Sequence, residues 1–240
     1  MRRTPERRAG FTLTEILTVM ILIAIILSIA YPTYISVVEQ ARKTQAKNEE
    51  QQIAAAVNAY YTDYGVYPLT PVNSNNAYFG PAAAVPPPMA ATTTKYGVNN
   101  DLLIDVLRNN TGNPNNAAAV ATLNPRAIVY LNVLDVKDYN SPRSGVIPNN
   151  AVVNPPARIG VWYDPFGSGY NVVIDNSYNN QITNPYTDNP GGTTVNNGVI
   201  VWSFGKNGAL GGGPAAGGSF AAESGSVNNF SASGDIISWQ

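Results

Sequence analysis

A chain of 240 residues without cysteine or histidine, carrying 14 basic and 15 acidic side chains for a formal charge of −1, excludes several chemistries at once. It cannot offer a Cys/His zinc site, a Ser-His dyad, a Cys-His nucleophile or a disulfide, and without a basic stripe no nucleic-acid partner is expected. Charge is uneven: residues 1–10 hold Arg2, Arg3, Glu6, Arg7 and Arg8, and without them ten basic residues face fourteen acidic ones, a balance of −4.

The basic segment precedes an uncharged run over residues 16–38. At about 1.5 Å per helical residue this run is long enough to cross a ~30 Å hydrocarbon core, and the arginines before it favour a cytoplasmic N-terminus. Glu15 stands at the lip of that run. A carboxylate there is costly unless it stays near the headgroups or meets a cation. A cut after Gly10 would create one, because Phe11 then carries the new α-amine and Glu15, four residues along, lies within reach of a neighbouring subunit's terminus. In a secretory signal the cut follows the apolar segment, whereas here it precedes it and the helix is kept. A plain single-pass anchor, with Glu15 resting in the interface, is the simpler reading of the same residues.

The run Gly10-Phe11-Thr12-Leu13-Thr14-Glu15 resembles the cleavage and methylation signal of the type IV pilin superfamily, and Pro32 and Tyr34 fall where its members carry a proline and a tyrosine. Thr14 departs from the usual isoleucine or valine. The resemblance implies cleavage after Gly10 by a prepilin peptidase, N-methylation of Phe11, and Glu15 as the carboxylate that steers assembly. It also implies a set of partners: further copies of the chain in a helical homopolymer, minor pseudopilins or pilins, an inner-membrane assembly platform, and membrane lipid before assembly.

Past the apolar run, residues 39–60 are rich in helix formers and hold no glycine or proline, so one helix is expected over 11–62. Pro32 inside it removes a backbone hydrogen bond and predicts a kink or an unwound segment. Ala46, Ile53, Val57 and Tyr60 or Tyr61 form an apolar stripe that should pack on a globular domain, with Arg42, Lys43, Lys47, Glu49 and Glu50 on the polar side, either a solvated face or a contact between subunits in a filament. Gly65 and Pro68 end the helix. Gly65-Val66-Tyr67-Pro68 is similar to the turn after the long helix in type II secretion major pseudopilins.

Residues 69–96, rich in proline, alanine and threonine, read as exposed loop. A short helix is expected over 100–108, capped by Asn100 or Asp101, with Leu102, Leu103, Val106 and Leu107 on one face. Strands are expected at 127–133, 158–163, 170–174 and 199–204. Between the middle two, Asp164-Pro165-Phe166-Gly167-Ser168-Gly169-Tyr170 is a tight-turn signal, and it resembles an Asp-Pro-Trp-Gly-Asn-Pro-Tyr hairpin of the major pseudopilins. The carboxylate pairs Asp101 with Asp105 and Asp135 with Asp138 read as solvated helix or turn acids rather than an acid–base couple. The glycines at 205, 208 and 211–213 lack the Gly-Lys-Ser/Thr ending of a phosphate loop.

The closing segment, Trp202 to Gly208 and then Gly234-Asp235-Ile236-Ile237-Ser238-Trp239, looks like the calcium loop of those pseudopilins. The resemblance implies calcium held by Asp235, with Asn207 and Ser238 as lesser ligands, and carbonyls near Leu210 and Glu223 in the intervening loop. Asn207 replaces a usual aspartate, and Ser233-Gly234 stand where a second acid is common, which weakens the set. The alternative is a metal-free loop held by Ile236, Ile237 and Trp239 against the sheet.

The expected fold is α+β: a long N-terminal helix packed on a small C-terminal antiparallel β-sheet with extended loops. Residues 1–10 form a leader, 11–62 the helix with a membrane or filament core at 16–38, and 63–240 a β-rich globular domain of roughly 175 residues on the far side of the inner membrane, in the periplasm. The function expected is a structural one, not an enzyme: a subunit of the periplasmic pseudopilus of type II secretion. The alternative is a type IV pilus subunit for adhesion, motility or DNA uptake.

Overall fold

In the computed structural model, residues 11–69, 75–81, 85–188, 191–207, 230 and 233–239 are described. The chain divides into the units Met1–Ala41 and Arg42–Gln240. Helix α1, Leu13–Tyr64, contributes to both. It runs unbroken through Pro32, so the backbone does not unwind there, and it is long and apolar enough to cross a membrane. Gly65 ends it as the sequence predicts, at φ 71, its N–H donating to the Tyr61 carbonyl at 2.8 Å.

The second half of α1 buries Ala46, Glu49, Glu50, Ile53, Ala56, Val57 and Tyr60. Against it lies a five-stranded sheet in the order β2 (Thr93–Lys95), β1 (Asn76–Phe79), β5 (Asn171–Ile174), β8 (Val199–Ser203), β9 (Ile236–Ile237). All neighbours are antiparallel except β1 and β2, which run parallel, so the sheet is mixed rather than purely antiparallel. Two further pairs stand apart from it: β3 (Gly145–Val146) with β4 (Trp162–Tyr163), and β6 (Ile182–Thr183) with β7 (Thr194–Val195).

Both faces of the large sheet are covered, which explains why its strands are apolar at nearly every position rather than at alternate ones. Ala77, Phe79, Val172, Ile174, Val199 and Val201 face α1 and the short helix α2 (Asp101–Arg108). The residues between them, Tyr78, Val173, Ile200 and Trp202, enter a second cluster with Met89, Ile182, Tyr186, Phe204 and Ile237. Val136, Ile147, Ala151, Val161 and Tyr163 form a third.

Several expectations fail for identifiable reasons. Residues 69–96 are not simply exposed loop: they supply β1 and β2, and Ala77, Tyr78 and Phe79 are completely buried. Composition misleads here because threonine is polar yet β-branched, and Thr93 and Thr94 pair with Asn76 and Ala77. The strand expected at 127–133 does not form. Asn124 claims that segment instead, donating to the Val106 and Ile128 carbonyls at 3.0 and 2.7 Å, while Ala127 takes φ 53. The strand expected at 158–163 shrinks to β4, preceded by a 3₁₀ turn at Pro156–Arg158. Residues 117–123, assigned no element from sequence, form helix α3 (Ala117–Leu123).

Burying Phe79 in the α1-facing cluster makes Phe79→Ala a direct test of that region. It should destabilise the unit Arg42–Gln240 by about 3–5 kcal/mol in urea unfolding. A genuine surface loop would show a change of no more than about 0.5 kcal/mol.

Candidate functional site: the chain's processing and assembly junction

At the start of α1, Thr12 and Glu15 satisfy each other's neighbourhoods. The Thr12 N–H donates to Glu15 Oε2 at 2.8 Å, the Thr12 hydroxyl donates to the same oxygen at 2.9 Å, and the Glu15 N–H donates to Thr12 Oγ1 at 3.2 Å. This is a reciprocal capping box, which ties up helix-terminal donors that would otherwise be orphaned. The Thr-x-x-Glu spacing is its sequence signature, and it went unused above. Glu15 Oε2 is committed to the cap; Oε1 has no bond among the described residues. Phe11, just outside the helix, is 84% exposed. Gly10 and the residues before it lie outside the described residues.

From Ile16 to Val37 the large apolar side chains of α1 stand exposed on all sides, so this segment has no stripe and no polar face. Its hydroxyls turn inward onto the backbone: Thr18 donates to Thr14 O at 2.8 Å, Ser28 to Ile25 O at 2.7 Å and Ser36 to Thr33 O at 2.9 Å. A polar group that satisfies itself in this way costs little in hydrocarbon.

At the other end of the chain, the candidate calcium ligands have structural employment. Asp235 Oδ2 accepts from the Tyr186 hydroxyl at 2.7 Å. Ser238 exchanges two bonds with Val201, its Oγ accepting at 2.9 Å and its N–H donating at 3.0 Å, which carries the β8–β9 ladder one step further. Asn207 closes a 3₁₀ turn, Gly205–Asn207. Leu210 and Glu223 lie outside the described residues. Among the described residues no group of three or more Asp, Glu, His or Cys side chains could hold a metal ion. These donors fall short of the six to eight oxygens calcium takes. Ile236 and Ile237 are buried, and Trp239 meets Trp202 edge-on at 6.3 Å.

Residues 164–170 make the tight turn that the sequence predicts. Asp164 Oδ1 accepts three backbone N–H groups, from Phe166, Gly167 and Ser168, at 2.8, 2.6 and 2.9 Å, and its other oxygen accepts from the Ser203 hydroxyl. Gly167 takes φ 107 there. Asp164 is nonetheless fully buried, and burial outweighs these bonds, pushing its carboxyl up to about 6.

Of the acids read as solvated from sequence, Glu49, Glu50, Asp101 and Asp105 are in fact interior, whereas Asp135 and Asp138 are exposed as expected. Glu50 is 0% exposed and neither of its oxygens has a hydrogen bond of normal geometry. Burial raises its pKa well above the ordinary value; the Ser203 amide and Lys47 offset part of this, while Asp164 and Asp235 add to it. Glu49 Oε2 accepts from the Tyr170 hydroxyl at 2.6 Å, and burial raises its pKa as well. The Asp101 and Asp105 pair is buried beneath an asparagine-rich turn: Asp105 receives the side-chain amides of Asn110, Asn113 and Asn116 at 2.6–2.8 Å. Asn100 does not cap α2 with its side chain, as expected, but ties the Trp162 and Tyr170 carbonyls, each at 3.0 Å.

Comparison with known proteins agrees with this geometry. The prokaryotic N-terminal methylation motif matches residues 6–31. The chain thus carries a pilin-like N-terminal motif at the start of a long helix that leads into an α+β head. It is 37% identical over 65 residues to type II secretion system core protein G of Pseudomonas aeruginosa, a match covering 27% of this chain and 46% of the relative. It is 38% identical over 76 residues to fimbrial protein EcpC of Eikenella corrodens, covering 32% of this chain and 46% of the relative. The chain therefore spans about half the length of these curated relatives. No solved structure matches.

Two predictions follow from the head's interior. Because burial raises the folded-state pKa of Asp164 and Glu50, the folded chain keeps protons that the unfolded chain releases. Stability is then full below the unfolded carboxyl range and falls as pH rises through about 6 for Asp164 and through the raised value of Glu50. Urea unfolding of Arg42–Gln240 should show lower stability at pH 8 than at pH 5, and Glu50→Gln should regain about 1–3 kcal/mol at pH 8 and flatten the profile. Millimolar calcium should leave the thermal midpoint of the same unit unchanged; a clear rise would place the missing ligands in residues 208–229.

Proposed function

We propose that the chain is a structural subunit of a pilus-like filament, cut after Gly10, N-methylated on Phe11 and polymerised into the periplasmic pseudopilus of a type II secretion machine. The observation that carries this reading is the capping box: it sets Glu15 at the first turn of an apolar helix, with one oxygen in the cap and the other open, beside the exposed Phe11. In the assembled filament the open oxygen meets the methylated amine of Phe11 on a neighbouring subunit, while the 16–38 segments bundle away from lipid. The arginines of the leader keep the N-terminus cytoplasmic before processing, which sends the head to the periplasm. The partners are further copies of the chain, minor pseudopilins, the prepilin peptidase and the assembly platform.

The type II secretion relative supports the pseudopilus. The fimbrial relative, matched over a slightly longer stretch, supports a second reading as a surface pilus subunit. Deleting the gene separates them: loss of secreted protein from the medium favours the first, and loss of surface filaments by electron microscopy favours the second.

Two substitutions test the assembly mechanism. Glu15→Ala should leave membrane insertion intact and abolish filament incorporation, measured by sedimentation of sheared polymer. Glu15→Gln retains a capping-box side chain but loses the charge, so it should fail as badly. If Glu15→Gln assembles like the wild type, Glu15 acts as a cap alone and the charge pairing is wrong.

A further inference from the structure

Beyond the leader the chain carries ten cations, all of them among the described residues. Most are engaged within the fold. Arg108 pairs with Asp135 at 3.9 Å, Arg126 donates to the Asp63 carbonyl at 3.2 Å, Arg158 to the Tyr163 hydroxyl at 3.3 Å and Lys95 to the Gly80 carbonyl at 2.9 Å. Lys43, Lys47 and Lys206 also have partners. Arg42, Lys137 and Arg143 have no hydrogen-bond or ion-pair partner among the described residues, and all three line one groove of about 410 Å³. They arrive from three places: α1, the segment after Asp135, and the turn before β3.

Three like charges lining one groove repel, and an anion there would relieve them. The same groove is lined by Asp135 and Asp138, with Leu134 82% exposed among the lining. Asp135 already meets Arg108, and Asp138 Oδ1 accepts the Asn140 N–H at 2.9 Å, while its second oxygen has no hydrogen bond among the described residues. A purely anionic ligand would meet these acids, and a purely cationic one would meet three cations. A ligand with both charges a few ångströms apart fits better than either.

Position narrows the choice further. Arg42 follows Val38, the last residue of the uncharged run, by four residues. Four residues rise about 6 Å as helix and reach no more than about 14 Å fully extended. The headgroup layer extends about 5–8 Å beyond the hydrocarbon, so Arg42 is tethered near its depth.

We propose that this groove seats the headgroup of a zwitterionic phospholipid, with the phosphate on Arg42, Lys137 and Arg143 and the ammonium toward Asp138. The proposal rests on the reading of residues 16–38 as a membrane span. Before assembly, such a contact holds the head against the bilayer surface; extraction of the subunit breaks it.

The test uses the full chain, delipidated in detergent and titrated with dioctanoyl phosphatidylethanolamine under native mass spectrometry. One lipid should be retained per chain. The double variant Arg42→Gln, Arg143→Gln, altered only at exposed positions, should keep its thermal midpoint and lose retention by at least about tenfold. Dioctanoylglycerol, which lacks a headgroup charge, should not be retained, and inorganic phosphate at equal concentration should not displace the lipid. Equal retention by the double variant, or retention of dioctanoylglycerol, overturns the proposal. Liposome flotation separates the two layers of inference: if neither protein floats, the membrane span and the groove reading fall together, whereas if both float and retain lipid equally, the groove reading falls alone. A double variant that keeps lipid but loses filament incorporation would assign the groove to a second copy of the chain.

Discussion

Residues 16–38 carry no charge, and the helix that holds them is long and apolar enough to cross a membrane. A helix is the form that allows this, because its backbone groups are satisfied within the segment and none is left for the lipid to solvate. What remains is its first turn, where donors are orphaned, and there the capping box of Thr12 and Glu15 supplies acceptors. The same carboxylate is then the charged group at the N-terminal edge of the apolar run. Its structural use in the cap and its proposed use in assembly do not compete, since they fall on different oxygens.

Beyond Val38 the same helix changes its surroundings. Its apolar side chains narrow to the stripe of Ala46, Ile53, Ala56, Val57 and Tyr60, the last four of which line one side of the head's largest core. The sheet lines another, and because a second cluster covers its far face, every strand is drawn inside. Polar side chains carried by these elements are drawn inside with them. Asp164 is accommodated by three amides and a hydroxyl, and Asp105 by three asparagines, whereas Glu50 receives no such set. A buried carboxyl without bonds is tolerated mainly as its neutral form, which couples the head's stability to pH.

The two curated relatives carry names from different machines, and each match covers under half of the relative. The head also brings together residues separated along the chain: β2 joins the sheet in parallel with β1, and Arg42, Lys137 and Arg143 line one groove.

What could be read directly was whatever depends on near neighbours along the chain. The long helix, its end at Gly65, the Asp164 turn and the strands β5 and β8 follow from periodicity, turn chemistry and β-branched runs, since each is settled within a few residues. The cap at Thr12 and Glu15 was equally legible, through a spacing of three. Tertiary structure decided the rest. Asn76 to Phe79 became a central strand because β5 offered an edge and two cores offered places for its side chains, which no local propensity reports. Residues 127–133 lost their strand to the side chain of Asn124. Glu49, Glu50, Asp101 and Asp105 read as solvent-facing from their own helices and were buried by elements distant in sequence, because exposure belongs to what packs against a side chain and not to the side chain itself.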